Sequence, residues 1–224
     1  MSKLKLGVLV SGGGSNLQSI IDHIETGKLA AEIAVVVSNV PGAGGLTRAA
    51  KHGLKQAVID HRDFTVRKDF DRRLIQVLKE HGVELVVLAG YMRLVSQTLL
   101  EAFPGRVMNI HPALLPSFPG THVWQDEVDY GVKFAGCTVH FVDEGTDTGP
   151  IICQAVVPVL DDDTADTLAA RILRQEHRLY PMAIELFAQG RLKIEGRRVK
   201  VIPPDKSQDK AALVNPNYVL DPVS

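Results

Sequence analysis

Cysteine is scarce in this chain, and its scarcity excludes whole classes of protein. The 224 residues contain two cysteines, Cys137 and Cys153, and both lie in strand-like segments. Two cysteines are too few for the disulfide framework of a small secreted domain or for a structural zinc site. We therefore interpret both as buried free thiols and expect a cytoplasmic protein.

Long apolar runs and clusters of basic residues are also missing. The apolar run within residues 3–10 is interrupted by glycine and serine after four or five residues, which is too short for a signal peptide or a membrane span. The net charge is −1 and no run of lysine or arginine occurs, so a polyanionic partner is disfavoured. We expect small-molecule substrates, with no nucleic-acid or membrane partner. A monomer and a homodimer both remain open.

Strand-like apolar segments alternate with helix-like segments in the first half of the chain. These strands are predicted at 3–10, 32–39, 55–60, 84–90 and 106–110. Such alternation predicts an open parallel sheet with right-handed crossovers and helices on both faces. The segment 84–90 is the most apolar of the five, so we expect it to lie centrally.

The second half of the chain has a different pattern. The long strand-like segments 134–142 and 150–159 are joined by the short acidic turn "DEGTDTG". Strands connected so closely normally pair in antiparallel fashion. Residues 192–202 resemble a closing hairpin with Glu195 and Gly196 at its turn. The antiparallel strands therefore extend the predicted parallel sheet.

A long helix is expected from about Thr164 to about Ala188, interrupted at Pro181. No internal repeat and no linker separate the segments, so the prediction is one α/β domain over residues 1–202. Its sheet is open and twisted, with a parallel, Rossmann-like N-terminal half and an antiparallel C-terminal extension. Residues 203–224 contain four prolines and little periodicity, and we interpret them as a C-terminal tail.

Three consecutive glycines come after the first predicted strand, in "VLVSGGGSNLQSI". A helix that begins there offers free backbone N–H groups and partial positive charge to a phosphate, and Gly14 lets the backbone approach it closely. Ser15 and Asn16 add polar groups. The alternative is a tight turn in which Ser15 or Asn16 caps the helix. Leu17 replaces the third glycine of the dinucleotide motif, and Ser38 and Asn39 stand where that motif has an acidic residue, so a monophosphate is the better hypothesis.

The stretch "RVMNIHPALLPSFPG", residues 106–120, places an amide and an imidazole at the end of a strand. Asn109 and His111 are two residues apart, so on an extended segment their side chains point to the same side. Pro112, Pro116 and Pro119 stiffen the segment after His111 by restricting φ. A rigid pair of donors suits the stabilisation of charge that develops during a reaction.

Asp147, in the acidic turn, is the predicted third member of this group. A carboxylate beside His111 favours the charged imidazole, and a charged imidazole with an amide suits the oxyanion of an acyl transfer. No cysteine accompanies His111 and no Gly-x-Ser-x-Gly motif occurs, so direct attack by a substrate nucleophile is expected. The alternative is that Asn109 ends a strand, His111 is a cap and Asp147 lies in an exposed turn.

Five motifs in the same order resemble the folate-dependent formyltransferases of purine synthesis, over roughly residues 4–200. They are "SGGGSNLQSII", "LAGYMRLVS", "NIHPALLPSFPG", "HFVDEGTDTGPII" and "QEHRLYP". The resemblance implies an enzyme that transfers the formyl group of 10-formyltetrahydrofolate, its co-substrate, to the amine of glycinamide ribonucleotide. No metal is implied.

The resemblance also implies roles for individual residues. The catalytic residues would be Asn109, His111 and Asp147. The ribonucleotide would be held through its phosphate and ribose by Gly14, Ser15, Asn16 and Glu176. The folate would be bound by Arg67, Met92, Arg93, Leu94, Val95, Asp143, Glu144, Gly145 and Thr146.

Other functions remain as alternatives. A formyltetrahydrofolate hydrolase and a methionyl-tRNA formyltransferase share the chemistry, but we expect the first to carry an additional preceding domain and the second a basic C-terminal domain. A non-catalytic or NAD-binding protein is the third alternative. Ala113 and Trp124 stand where relatives often have polar residues, and we assign no role to Trp124. His140 is left open between the site and the core.

Overall fold

Strands and helices alternate along residues 3–203, the part of the chain that the computed structural model describes. The strands are β1 (Leu4–Val10), β2 (Ala31–Ser38), β3 (Gln56–Val58), β4 (Leu85–Leu88), β5 (Val107–His111), β6 (Phe134–Phe141), β7 (Ile151–Pro158), β8 (Leu192–Glu195) and β9 (Arg198–Val201). The α-helices are α1 (Ser15–Glu25), α2 (Gly44–Lys51), α3 (Arg67–Glu80), α4 (Gln97–Ala102), α5 (Val123–Tyr130) and α6 (Ala165–Ala188). Of the predicted tail, residues 204–224 lie outside the described part.

All nine strands form one mixed sheet, in the order β3-β2-β1-β4-β5-β6-β7-β9-β8. The pairings among β1 to β5 are parallel, whereas β6 runs antiparallel to β5 and β7 antiparallel to β6. β8 and β9 form an antiparallel hairpin, and β9 joins β7 through one parallel pair, Ile151 with Arg198. The predicted fold class is confirmed.

Helices cover both faces of the sheet and create two apolar layers. On one face α1, α2 and α6 bury side chains such as Leu17, Leu46 and Ile172 against the sheet. On the other face α3 and α4 bury Leu74 and Leu99. Because β4 lies between these layers, all four of its residues are buried, as expected for an apolar parallel strand. Within residues 3–203, none of the helices combines the length and apolar character needed to cross a membrane.

The predicted interruption of the long helix at Pro181 is wrong, because α6 continues through this residue. Proline lacks the N–H that would bond the carbonyl four residues earlier, which belongs to His177. The hydroxyl of Ser19 on α1 donates a hydrogen bond to that carbonyl instead, at 2.5 Å. The freed acceptor is therefore satisfied across the α1–α6 contact, as buried backbone groups generally are.

Candidate active site

Three of the predicted site segments follow strands that end at one edge of the sheet. The glycine loop follows β1, residues 89–95 follow β4, and Asn109 and His111 end β5. These three strands are parallel neighbours, so their carboxyl ends meet at the edge where open α/β sheets bind ligands.

The side chain of Asn109 is held by a histidine on the neighbouring strand. Asn109 pairs with His140 across β5 and β6, and its Nδ2 group lies 3.2 Å from His140 Nε2. The other ring nitrogen, Nδ1, donates to the Phe141 carbonyl at 2.9 Å, so Nε2 accepts from Asn109. Burial lowers the pKa of His140, which favours this neutral ring.

Asp147 approaches both histidines from the turn between β6 and β7. Its Oδ2 lies 3.5 Å from Nδ1 of His111, and its Oδ1 lies 3.7 Å from Nε2 of His140. The N–H of Gly120 donates to the same Oδ2 at 2.9 Å. The structure thus brings Asn109, His111 and Asp147 together around a buried second histidine.

A glycine allows the turn that carries Asp147 to fold back on β6. A Cβ at Gly149 would lie 1.7 Å from the carbonyl oxygen of Phe141, so any side chain there would force the turn away. The φ of Asp147 is +54°, a conformation that non-glycine residues adopt infrequently. Backbone packing therefore directs the carboxylate towards His111.

The second nitrogen of His111 is already hydrogen-bonded. Its Nε2–H donates to the carbonyl of Phe118 at 2.8 Å. Phe118 has φ +49°, and its ring packs edge-on against Tyr130 of α5, with centroids 5.8 Å apart. For His111 to donate to a ligand through Nε2, the ligand must replace this carbonyl.

A buried hydroxyl anchors the segment that comes after His111. Thr138 on β6 accepts a hydrogen bond from the Leu115 N–H at 3.1 Å and donates to the Ala113 carbonyl at 2.6 Å. Gln154 on β7 donates to both the Leu115 carbonyl and the Thr138 hydroxyl. This network holds residues 113–115, which follow His111, against the sheet.

A cavity of about 550 Å³ opens in front of the three residues. A second cavity of about 420 Å³ adjoins it, and the two share five lining residues: Leu94, Val95, Val142, Gly145 and Thr146. Every residue predicted to bind the folate lines one or both cavities: Arg67, Met92, Arg93, Leu94, Val95, Asp143, Glu144, Gly145 and Thr146. The combined volume of the two cavities is in the range of sites for small organic ligands.

Two arginines fix residues 92–95, which line these cavities. The Nη2 group of Arg67 donates to the Leu94 carbonyl at 2.8 Å. The guanidinium of Arg93 lies 4.8 Å from the centre of the Phe70 ring. Residues 92–95 are therefore held against α3 by two contacts, one from each arginine.

The glycine loop forms a separate cluster at the same edge. Gly14 has φ +71°, and a Cβ there would lie 2.6 Å from the Cα of Gly45, so glycine is required. Asn16 is buried, and its Nδ2 donates to Oε2 of Glu176 at 2.7 Å. Among residues 3–203, no side chain caps α1, so the alternative of a cap by Ser15 or Asn16 is wrong.

The cluster of Gly14, Ser15, Asn16 and Glu176 does not line either cavity. Ser11 connects it with the cavity wall, because its hydroxyl accepts from the Met92 N–H at 2.8 Å. Burial raises the pKa of Glu176, and the Asn16 hydrogen bond partly opposes that rise. The Oδ1 atom of Asn16 is buried without a hydrogen-bond partner among the described residues.

Tyr180, one turn after Glu176 on α6, links this cluster to the ends of β4 and β5. Its buried hydroxyl lies 3.0 Å from the Leu88 carbonyl and 2.9 Å from the Met108 carbonyl. These carbonyls end β4 and precede Asn109 on β5. The side chain of Tyr180 therefore connects α6, which carries Glu176, with β5, which carries Asn109.

Sequence reasoning did not resolve the role of His140 and did not single out Thr138 or Gln154. Alternation along β6 places side chains on two faces, but only the register with β5 shows which face meets Asn109. The available signal was a polar residue inside an otherwise apolar strand.

Comparison with known proteins gives consistent matches. The model of the Formyl transferase family matches residues 4–184. Phosphoribosylglycinamide formyltransferase of Escherichia coli (strain K12) is 43% identical over 187 residues, which are 84% of this chain and 88% of that protein. The crystal structure of glycinamide ribonucleotide transformylase 1 from Symbiobacterium toebii superposes with a TM-score of 0.89 at 51% identity, covering 90% of this chain and 95% of that chain.

A much longer relative matches as well. The trifunctional purine biosynthetic protein adenosine-3 of Drosophila melanogaster is 46% identical over 188 residues, or 83% of this chain. The matched part is 14% of that protein's length, so the similarity concerns one segment of it.

Proposed function

This chain belongs to the formyl transferase family, and on that premise we propose that it formylates glycinamide ribonucleotide in purine biosynthesis. The formyl donor is 10-formyltetrahydrofolate, and the products are formylglycinamide ribonucleotide and tetrahydrofolate. The relative from Escherichia coli, covered over 88% of its length, supports this reaction. We assign the activity to residues 1–202.

The observation that carries the proposal is the grouping of Asn109, His111 and Asp147 at the wall of a cavity. An amide and an imidazole on one strand end can donate two hydrogen bonds to one oxyanion. Oriented donors of this kind stabilise the charge that develops when a carbonyl is attacked.

The chemistry is an acyl transfer without a covalent enzyme intermediate. The neutral glycinamide amine attacks the formyl carbon, and a C–N bond forms as the carbonyl electrons move to oxygen. Asn109 and His111 stabilise the resulting oxyanion. The bond to N10 of the folate then breaks, the carbonyl re-forms, and the proton lost by the amine passes to N10.

Asp147 acts on this reaction through His111. Its Oδ2 lies 3.5 Å from the imidazole, where the carboxylate balances the charge of a protonated ring. Water beside Asp147 can carry the proton from the amine nitrogen to N10. The oxyanion, as it forms, replaces the Phe118 carbonyl as the acceptor of the His111 Nε2–H.

The two substrates occupy different parts of the edge. The free N–H groups at the start of α1, with Ser15 and Asn16, hold the phosphate, and Glu176 accepts from the ribose hydroxyls. The folate lies in the adjoining cavities, where residues 92–95 present backbone groups to its pterin ring. Arg67 lies towards the folate tail.

A spectrophotometric assay with 10-formyltetrahydrofolate tests the proposal. Glycinamide ribonucleotide, water alone and methionyl-tRNA are compared as formyl acceptors at equal enzyme concentration. We expect turnover only with the ribonucleotide. Turnover in water alone would instead identify a hydrolase, and formylation of the tRNA would identify the other alternative.

A further inference from the structure

Helix α2 packs directly against the glycine loop and engages its carbonyl groups. The N–H of Gly45 donates to the Gly12 carbonyl at 2.9 Å. The Nε–H of Arg48, one turn later, donates to the Gly13 carbonyl at 2.8 Å. The third loop carbonyl, that of Gly14, accepts the first helical hydrogen bond of α1, from the Gln18 N–H at 3.0 Å.

The direction of these carbonyls matters for an anion. A carbonyl oxygen carries partial negative charge and would repel a phosphate, whereas the N–H groups at a helix start attract it. α1 and α2 engage all three carbonyls. The first turn of α1 separately has the N–H groups that a helix cannot bond internally. The loop therefore presents donors, and Arg48 contributes to that orientation.

Arg48 also contributes charge that no carboxylate neutralises. Its Nη1 group is 3.4 Å from the amide oxygen of Gln18, so both of its hydrogen-bond acceptors are neutral. Among the described residues, no aspartate or glutamate lies within ion-pair distance of Arg48. Glu25 pairs with His52, at 2.7 Å.

The charge of Arg48 acts on His177 of α6, whose backbone carbonyl accepts from Ser19 on α1. The pKa of His177 is lowered, mainly by burial, and the positive charge of Arg48 contributes to the lowering while Asp22 opposes it. The contacts of Arg48 with the Gly13 carbonyl and the Gln18 side chain place its guanidinium near the start of α1.

We propose that Arg48 is a positioning residue for the phosphate of the ribonucleotide. It holds the Gly12–Gly14 loop with its carbonyls turned away from the ligand, and its uncompensated charge attracts the phosphate dianion. This inference rests on the proposed function and extends it to a helix, α2, that neither the motifs nor the cavities indicated.

Three variants on α2 separate charge from geometry. Arg48→Gln keeps an amide donor for the Gly13 carbonyl but removes the charge, and Arg48→Lys keeps the charge but loses the planar group. Lys51→Gln removes one positive charge from the exposed end of the same helix and is the matched control. Thermal melting of each variant verifies that it is folded.

The measurement is the KM and kcat of each variant for glycinamide ribonucleotide, for its dephosphorylated riboside and for the folate. Removing one positive charge near a bound dianion weakens its binding, so Arg48→Gln is expected to raise the ribonucleotide KM by roughly tenfold. The riboside and folate KM values and kcat should change by less than about twofold. Arg48→Lys should show a smaller rise, and Lys51→Gln none.

The inference is overturned if Arg48→Gln leaves the ribonucleotide KM unchanged. It is equally overturned if Arg48→Gln raises the riboside KM as much as the ribonucleotide KM. The same holds if Lys51→Gln raises the ribonucleotide KM as much as Arg48→Gln does. Failure of the proposed function has a different signature, since the wild-type enzyme would then not turn over the ribonucleotide at all.

Discussion

The corner formed by residues 109–120 and the glycine loop lie at the same edge of the sheet, but their polar groups are in different states. At the corner, His111 already donates to Phe118 and Asn109 already donates to His140. At the loop, the carbonyls are engaged by α1 and α2, and no side chain caps the N–H groups. The loop is therefore ready for a ligand and Asn109 keeps a second N–H, whereas His111 must exchange its bond to Phe118 for one to the substrate.

Under the proposed function, this difference predicts how the corner and the glycine loop contribute to catalysis. A preformed anion site loses little free energy to reorganisation, so its contribution should be found in substrate affinity. Donors that exchange partners during the reaction contribute where charge develops, so their effect should be found in kcat. Single substitutions test this division, from the largest expected effect to the smallest.

The corner should respond most strongly. We expect His111→Ala to lower kcat by roughly 10²–10³, with little change in either KM, because the oxyanion loses a donor that the ground state does not use. Steady-state kinetics with both substrates measures this. His81→Gln, at the end of α3, is the control for loss of an imidazole. Wild-type turnover by His111→Ala would refute the proposed mechanism.

The loop should show the opposite pattern. Asn16→Ala removes the hydrogen bond to the buried Glu176 carboxylate, and we expect the ribonucleotide KM to rise by about tenfold or more. The folate KM serves as the internal control and should stay near the wild-type value. If both KM values rise equally, the loop does not bind the ribonucleotide.

His140 should give an intermediate effect at the corner. His140→Leu removes the acceptor that orients the Asn109 amide, so we expect kcat to fall by about tenfold. Because the pKa of His140 is lowered by burial, the ring is neutral at neutral pH. The ratio of variant to wild-type kcat should therefore be constant between about pH 7 and 8. A ratio that changes with pH in this interval would assign His140 a proton-transfer role.

The smallest effect concerns α5, the helix after the corner. Glu127 of α5 is 1% exposed, its Oε2 has no hydrogen-bond partner among the described residues, and burial raises its pKa from 4.5 to about 7. The folded state thus retains a proton that the unfolded chain releases above about pH 4.5. The free energy of unfolding should fall as pH rises between these two values.

Glu127→Gln removes this titration. We expect the variant to gain roughly 1–2 kcal/mol relative to wild type at pH 8 and little at pH 4.5. Urea unfolding at both pH values measures the difference, and Glu101→Gln on the exposed face of α4 is the matched control. An equal gain at both values would show that folding does not raise the pKa of Glu127.

Much of the site is encoded in local sequence patterns. The glycines after β1, the Asn-x-His pair and the acidic turn are each contained in a dozen residues, and parallel strands bring their carboxyl ends to one edge. That is why the sequence predicts Asn109, His111 and the glycine loop at one edge.

Other features depend on contacts between distant segments. The continuity of α6 through Pro181 depends on a hydroxyl from α1, and local proline rules predict the opposite. The role of His140 depends on the register of β6 against β5, and that of Arg48 depends on how α2 packs on the loop.

The sequence by itself determined the fold class, the order of strands and helices and the chemical types gathered at the edge, because periodicity, turns and caps act over a few residues. Only the tertiary structure decided which donors are occupied and which are free. A hydrogen bond such as that from His111 to Phe118, or from Arg48 to Gly13, depends on distances of a few tenths of an ångström between packed segments. Those distances are set by the whole core, and no local pattern encodes them.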